Sequence, residues 1–169
     1  TTGAPSNSSE TNSRDAARRS VEALQRLAEW GDTHGYAIGS EALSGGLVLS
    51  RGGRTCRVTV RASDLAASGE CLGDAPPHAF VTASALLDLV SARWLDRLAE
   101  QCRRAGATVL FVLTFNGWSR CEPAEAGDDE VASLVNRHQT TDKGFGAALG
   151  PSAGGYAERA FHRLGYQVE

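Results

Sequence analysis

Residues 80–117 read FVTASALLDLVSARWLDRLAEQCRRAGATVLFVLTFNG, and the order of signals in this stretch decides the fold class. Pro76-Pro77 breaks the chain, and Phe80–Ala83 then gives a strand. Val109–Leu113 gives a second strand, apolar on both faces as a central parallel strand requires. Between them Ser91 is placed to cap a helix whose buried stripe is Trp94, Leu95, Leu98, Ala99 and Cys102, with Gly106 as its stop. Strand, helix and strand in this order predict a right-handed βαβ unit, the building block of an open α/β sheet.

Upstream, Cys56–Arg61 alternates Cys56, Val58 and Val60 with Arg57, Thr59 and Arg61, the period-two pattern of a strand near a sheet edge. It ends at Ala62-Ser63-Asp64. Two shorter strands, Tyr36–Ile38 and Leu47–Leu49, are expected before it, joined by a loop with Gly45-Gly46 and followed by a Gly52-Gly53 turn. Ala17, Val21, Leu24 and Ala28 recur at helical spacing from Asp15 to Gly31. Residues 1–14, rich in Ser, Thr and Asn, read as a flexible arm, and 15–169 as one domain. Downstream, Asp128-Asp129 starts a helix bearing Val131, Leu134, Val135 and His138 and stopping at Gly144. The connector GFGAALGP leads to a last helix capped by Ser152 and closed by Gly165, after which Tyr166-Gln167-Val168 begins a strand.

Composition narrows the function classes. The 41% hydrophobic and 22% charged residues are those of an ordinary globular chain, and no apolar run approaches the roughly 20 residues that cross a bilayer. With 17 Lys+Arg against 20 Asp+Glu the net charge is −3, so a nucleic-acid partner is disfavoured. The four cysteines form no C-x-x-C pair, which argues for free thiols and no metal. Thr1 to Ser13 lacks the apolar core of a signal peptide, so a cytoplasmic location is expected. The absence of any methionine points to a processed, excised or incomplete product.

Ligands of open α/β sheets sit outside the carboxyl ends of the strands. Asp64 there either accepts a hydrogen bond from an exocyclic amine such as adenine N6, with the Leu65 N–H donating to a ring nitrogen, or caps the turn after a strand. Ser84 either holds a ligand's amino or carboxylate group or enters a helix. Asp88, set among apolar neighbours, is a candidate proton acceptor or a cap. In NRHQTTDKGFGAALGP (136–151), His138 is a candidate general base, and Arg137 and Lys143 candidate anchors for a carboxylate or phosphate; the alternative is a helix-end histidine and solvated charges.

The wording of four segments resembles a bacterial branch of the class I S-adenosylmethionine-dependent methyltransferases: RVTVRASDLA (57–66), FVTASALLDLVSARWLDRLA (80–99), VLFVLTFNG (109–117) and NRHQTTDKGFGAALGP (136–151). The likeness runs from Ala16 to the C-terminus. It implies a mostly parallel Rossmann-like sheet with Cys56–Arg61, Phe80–Ala83 and Val109–Leu113 as neighbouring third, fourth and fifth strands. It further implies S-adenosylmethionine as cofactor, with Asp64 and Leu65 at the adenine and Ser84 to Leu87 lining the site. The loop Asn136–Phe145 would close over a small-molecule methyl acceptor, with Asn116, Arg137 and Lys143 on the acceptor side. Family members also carry a strand with a glycine-rich G-x-G turn for the rest of the cofactor, which is not found here, so the expected sheet lacks its N-terminal strands. The turn after Val109–Leu113 has Asn116-Gly117 where the branch usually has Asp-Gly.

Two functions follow. One is methyl transfer from a sulfonium to an oxygen, nitrogen or carbon nucleophile, driven by positioning, with His138 or Asp88 taking the proton. The other is an incomplete, non-catalytic module that cannot bind the cofactor alone and self-associates through exposed sheet edges. Methyl transfer requires the three strands to lie side by side and parallel.

Overall fold

A computed structural model describes residues 8–41, 46–61, 63–67, 71–73, 75–112 and 114–169; for 8–14, 40 and 41 only the backbone course is described. The chain folds as two compact units, Thr1–Ser63 and Asp64–Glu169.

The first unit holds α1 (Ser8–Thr33), β1 (Ala37–Glu41), β2 (Gly46–Arg51) and β3 (Arg54–Val58). The helix starts at Ser8 rather than Asp15, because no Gly or Pro follows Pro5 to interrupt it; residues 1–7 of the expected arm lie outside the described residues, as does Gly45. Trp30 and Gly31 end up beside the sheet. A Cβ on Gly31 would come within 2.6 Å of a Leu49 methyl and 2.9 Å of an Ile38 methyl. Leu47 and Leu49 are the buried side chains of β2.

β1, β2 and β3 form an antiparallel sheet in that order. The turn between β2 and β3 explains why. Gly52 (φ 58°) and Gly53 (φ 75°) both take the left-handed conformation of a two-residue hairpin, which returns β3 directly onto β2 with Arg51 opposite Arg54 and Leu49 opposite Cys56.

The second unit holds β4 (Phe80–Ser84), α2 (Ala92–Ala105), β5 (Thr108–Val112), α3 (Asp128–Gln139) and α4 (Ala153–Arg163), with a 3-10 turn at Gly150–Ser152. β4 and β5 pair in parallel, Phe80 opposite Thr108 and Ser84 opposite Val112, with α2 as the connection. Both ends of α2 follow the sequence: the Ser91 hydroxyl accepts from the Trp94 N–H at 3.3 Å, and Gly106 (φ 59°) closes it. Its stripe of Trp94, Leu95, Leu98, Ala99 and Cys102 is buried together with Leu87, Val90, Ala153, Ala157 and Phe161, and Val81, Val109 and Phe111 pack on this core. Asp96 ties α2 to α4, accepting from the Tyr156 hydroxyl at 2.8 Å and from Arg163 at 3.2 Å.

The fold expected from the sequence is corrected here. Among the described residues there is no mostly parallel Rossmann-like sheet: the first of the three expected neighbours separates from the other two, since Cys56–Val58 pairs antiparallel in one sheet while Phe80–Ser84 and Thr108–Val112 make a two-stranded parallel sheet. Residues Arg54 to Arg57 are exposed, as befits a strand with one partner and no covering layer. β5 is likewise not buried on both faces. Val109 and Phe111 turn to the core, whereas Leu110 and Val112 are exposed on the other face beside Phe80, which is 63% exposed. Leu113 lies outside the described residues, as does Ala62.

Three element ends also differ in detail. α3 stops at Gln139 because the Thr140 and Thr141 hydroxyls turn back onto the Arg137 and His138 carbonyls at 2.8 Å. Ser152 stands at the N-cap position of α4 as expected, but its hydroxyl makes no cap bond and donates instead to the Leu149 carbonyl of the 3-10 turn. Tyr166–Val168 is not a strand, since the Tyr166 N–H is taken by the Phe161 carbonyl.

Burial pushes the Cys102 thiol up to about 11 and raises that of Cys71, whereas Cys56 and Cys121 are exposed. Only the thiolate attacks an alkylating reagent. At pH 8.5 iodoacetamide should therefore modify Cys56 and Cys121 and spare Cys102 in the native chain, as read by peptide mass mapping; equal labelling of all four would contradict the core described here.

Candidate functional site

The carboxyl ends of β4 and β5 lie side by side, and three loops converge on them. After β4, Ala85 takes a left-handed conformation (φ 52°) and its N–H bonds the Val112 carbonyl at 3.1 Å, so the chain leaves the strand end turning sharply. The turn Leu86–Leu89 buries Leu87 and Asp88. After β5, the Asn116 side chain accepts from the Trp118 N–H at 3.0 Å and fixes the turn at Gly117 (φ 82°).

The segment 136–151 joins these two loops. On one side the Leu149 N–H bonds the Val90 carbonyl at 2.9 Å and the Gly150 N–H bonds the Asp88 carbonyl at 3.0 Å. On the other, Asn136 Nδ2 donates to the Gly117 carbonyl at 3.1 Å, and Gly117 approaches Pro151 so closely that a Cβ would sit 2.6 Å from the proline Cβ. The segment also closes on itself: a Cβ on Gly150 would meet the Gln139 carbonyl at 3.1 Å. Phe145 meets the edge of Trp94, ring centroids 5.7 Å apart and planes at 80°. Trp94 in turn donates its indole N–H to the Leu65 carbonyl at 2.7 Å. Three of the sequence segments noted above, and the end of the fourth, thus meet around one indole ring and one proline.

The individual residues fare differently. Asp64 caps its own turn, its Oδ1 accepting from Ala66 at 2.9 Å and Ala67 at 3.2 Å, the second of the two roles open to it. Leu65 is held at the core through its carbonyl. Leu87 is buried, but Ser84 is exposed and shares the uncovered sheet face with Phe80 and Thr82. As placed, Asp64, Leu65, Ser84 and Leu87 do not make one cradle for an adenosyl group. With the Asp64 carboxylate taken up by its own turn and Ser84 facing away from buried Leu87, the residues present do not fit S-adenosylmethionine.

Lys143 Nζ lies 3.1 Å from His138 Nε2 and 3.1 Å from the Thr141 hydroxyl. Which of the two nitrogens donates depends on the histidine tautomer. Asp142 organises the rest of the loop by accepting from Gly144 at 2.7 Å and Gly146 at 3.0 Å. Arg137 is exposed on the last turn of α3. Asp88 is 7% exposed and its Oδ1 has no hydrogen-bond partner; the same holds for Asn136 Oδ1. Among the described residues no group of three or more His, Cys, Asp or Glu is placed to hold a metal ion, and no helix is long and apolar enough to cross a membrane.

Sequence reasoning missed Trp94, Asn136 and Pro151 as the residues that gather the loops. Trp94 read only as core, although a buried indole N–H always needs an acceptor and so signals a cross-link. Asn136 and Pro151 carried no signal beyond their place in a motif. No family model, no curated protein and no solved structure matches the chain.

Gly117→Ala should cost about 1–3 kcal/mol from the left-handed backbone alone, and more from the Pro151 contact, measured as a fall in unfolding free energy. Gly127, also left-handed (φ 106°) but with nothing within 4 Å of its Cβ position, is the control, losing only the backbone part. Equal losses would show that segment 136–151 does not rest on Gly117.

Proposed function

We propose that the chain serves methylation of a small-molecule acceptor as a methyltransferase-like module whose 169 residues do not by themselves complete the site for S-adenosylmethionine. What supports this reading is the meeting of the resembling segments at one place: FVTASALLDLVSARWLDRLA supplies the Asp88 and Val90 carbonyls, NRHQTTDKGFGAALGP crosses to them through Leu149 and Gly150, and VLFVLTFNG supplies Gly117 to Asn136. A loop tied to both parallel strand ends is where an acceptor would be enclosed. His138, Arg137 and Lys143 stand on that loop, and Asn116 and Asp88 on the loops it joins.

The stronger reading, a methyltransferase complete in this chain, needed β3 beside β4 so that Asp64 would reach the purine. The separation of these strands into two sheets favours the module instead. In the module reading catalysis awaits elements that carry the glycine-rich turn, and Asp88 and His138 are proton acceptors only in their presence. The cytoplasm is its compartment, nucleic acid and membrane have no part, and the uncovered apolar face of Phe80, Leu110 and Val112 supports self-association.

Titration of S-adenosylhomocysteine into the purified chain tests this. No shift in melting temperature at millimolar ligand is expected; micromolar binding would overturn the module reading and restore the complete enzyme.

A further inference from the structure

The first unit carries a feature that methyl transfer does not use. Residues 46–61, GLVLSRGGRTCRVTVR, contain four arginines and no carboxylate, although the whole chain is acidic. Arg51 and Arg54 are register partners across the Gly52-Gly53 turn. Like charges directly opposite on neighbouring strands repel, and among the described residues neither guanidinium is paired with a carboxylate. An anion between them would remove the repulsion.

Arg51 is already held in position. Its Nη1 donates to the His34 carbonyl at 3.0 Å, and its guanidinium carbon lies 5.4 Å from the centre of the Tyr36 ring. Tyr36 leans on Trp30 at 5.7 Å, and Trp30 stacks on His34 at 4.4 Å. Of the five N–H donors of a guanidinium only one is spent here, and an arginine fixed in advance loses little rotamer freedom on binding. Tyr36, Leu49, Arg51, Arg54, Thr55 and Cys56 line an open groove of about 520 Å³ at this place. A pair of opposed arginines suits a phosphate, which guanidinium groups grip with two parallel N–H bonds. Tyr36 beside them suits a planar ring, since aromatic side chains stack bases regardless of sequence.

We propose that this groove binds a free nucleoside monophosphate, the phosphate between Arg51 and Arg54 and the base against Tyr36. The compact groove and the chain's net charge of −3 favour a single nucleotide over a strand of nucleic acid. The proposal is independent of the methyl-transfer reading, and S-adenosylhomocysteine, which has no phosphate, probes the other unit.

The experiment is an amide NMR titration of the full chain with AMP, adenosine, inorganic phosphate and an eight-residue oligothymidylate. Saturable shifts at Gly52, Gly53 and Thr55 are expected with AMP, at least about tenfold tighter than with adenosine or phosphate, because both halves of the ligand are needed. Arg54→Gln, at an exposed hairpin position, should weaken AMP about tenfold through the lost charge-assisted bonds, while the Leu47 and Leu49 amides show that the sheet persists. Tyr36→Leu should weaken AMP more than it weakens phosphate, since it removes the stacking ring and loosens Arg51. Equal affinity for phosphate and AMP, an unaltered affinity in Arg54→Gln, or saturation by the oligothymidylate without saturation by AMP would each overturn the proposal.

Discussion

The Asp64–Glu169 unit depends on Trp94. Its ring is 2% exposed in the core under β4 and β5, its N–H to the Leu65 carbonyl fixes the turn that opens the unit, its edge receives Phe145, and its own amide is the one that Ser91 caps. Truncating a buried tryptophan to alanine costs about 3–5 kcal/mol, transfer and cavity together, a large share of the roughly 5–15 kcal/mol by which a domain is stable. Position and stability in this unit therefore share a source. The parallel pair gives the loops an edge to leave from; the indole decides where they gather.

This division has a functional consequence. The pieces that would face an acceptor are pre-arranged by backbone bonds, Leu149 to Val90 and Gly150 to Asp88, and need no cofactor to stand where they do. The pieces that would face a purine are not, because Asp64 spends its carboxylate on its own turn and β3 belongs to another sheet. The orphan oxygens of Asp88 and Asn136 mark the places where polar groups still lack donors.

What could be read from the sequence was local. Ser91 and Gly106 set the limits of α2 through cap chemistry that involves only neighbouring residues, and the short apolar runs Phe80–Ala83 and Val109–Leu113 marked the two strands that flank it. The partner of Cys56–Val58 could not be read in the same way: period two states that a segment is a strand and is silent about which strand lies beside it. The deciding signal, Gly52-Gly53 between two arginines, was noted as a turn, but its weight as a hairpin appears only when Arg51 is found opposite Arg54. Asp64 kept two roles open for a similar reason, since a carboxylate after a strand caps or binds according to which N–H groups come near. The ring-and-arginine groove depends on residues 15 or more apart, Tyr36 to Arg51, and no spacing rule announces it.

The claim on which the account rests is that β3 and β4 lie in different sheets. Interstrand proton–proton contacts measured by NMR on the isotopically labelled chain test it most directly. The account predicts contacts of Cys56 with Leu49 and of Val58 with Leu47, together with Val81 to Val109 and Ala83 to Phe111. Contacts of Cys56 or Val58 across to Val81 or Ala83 in parallel register would contradict it.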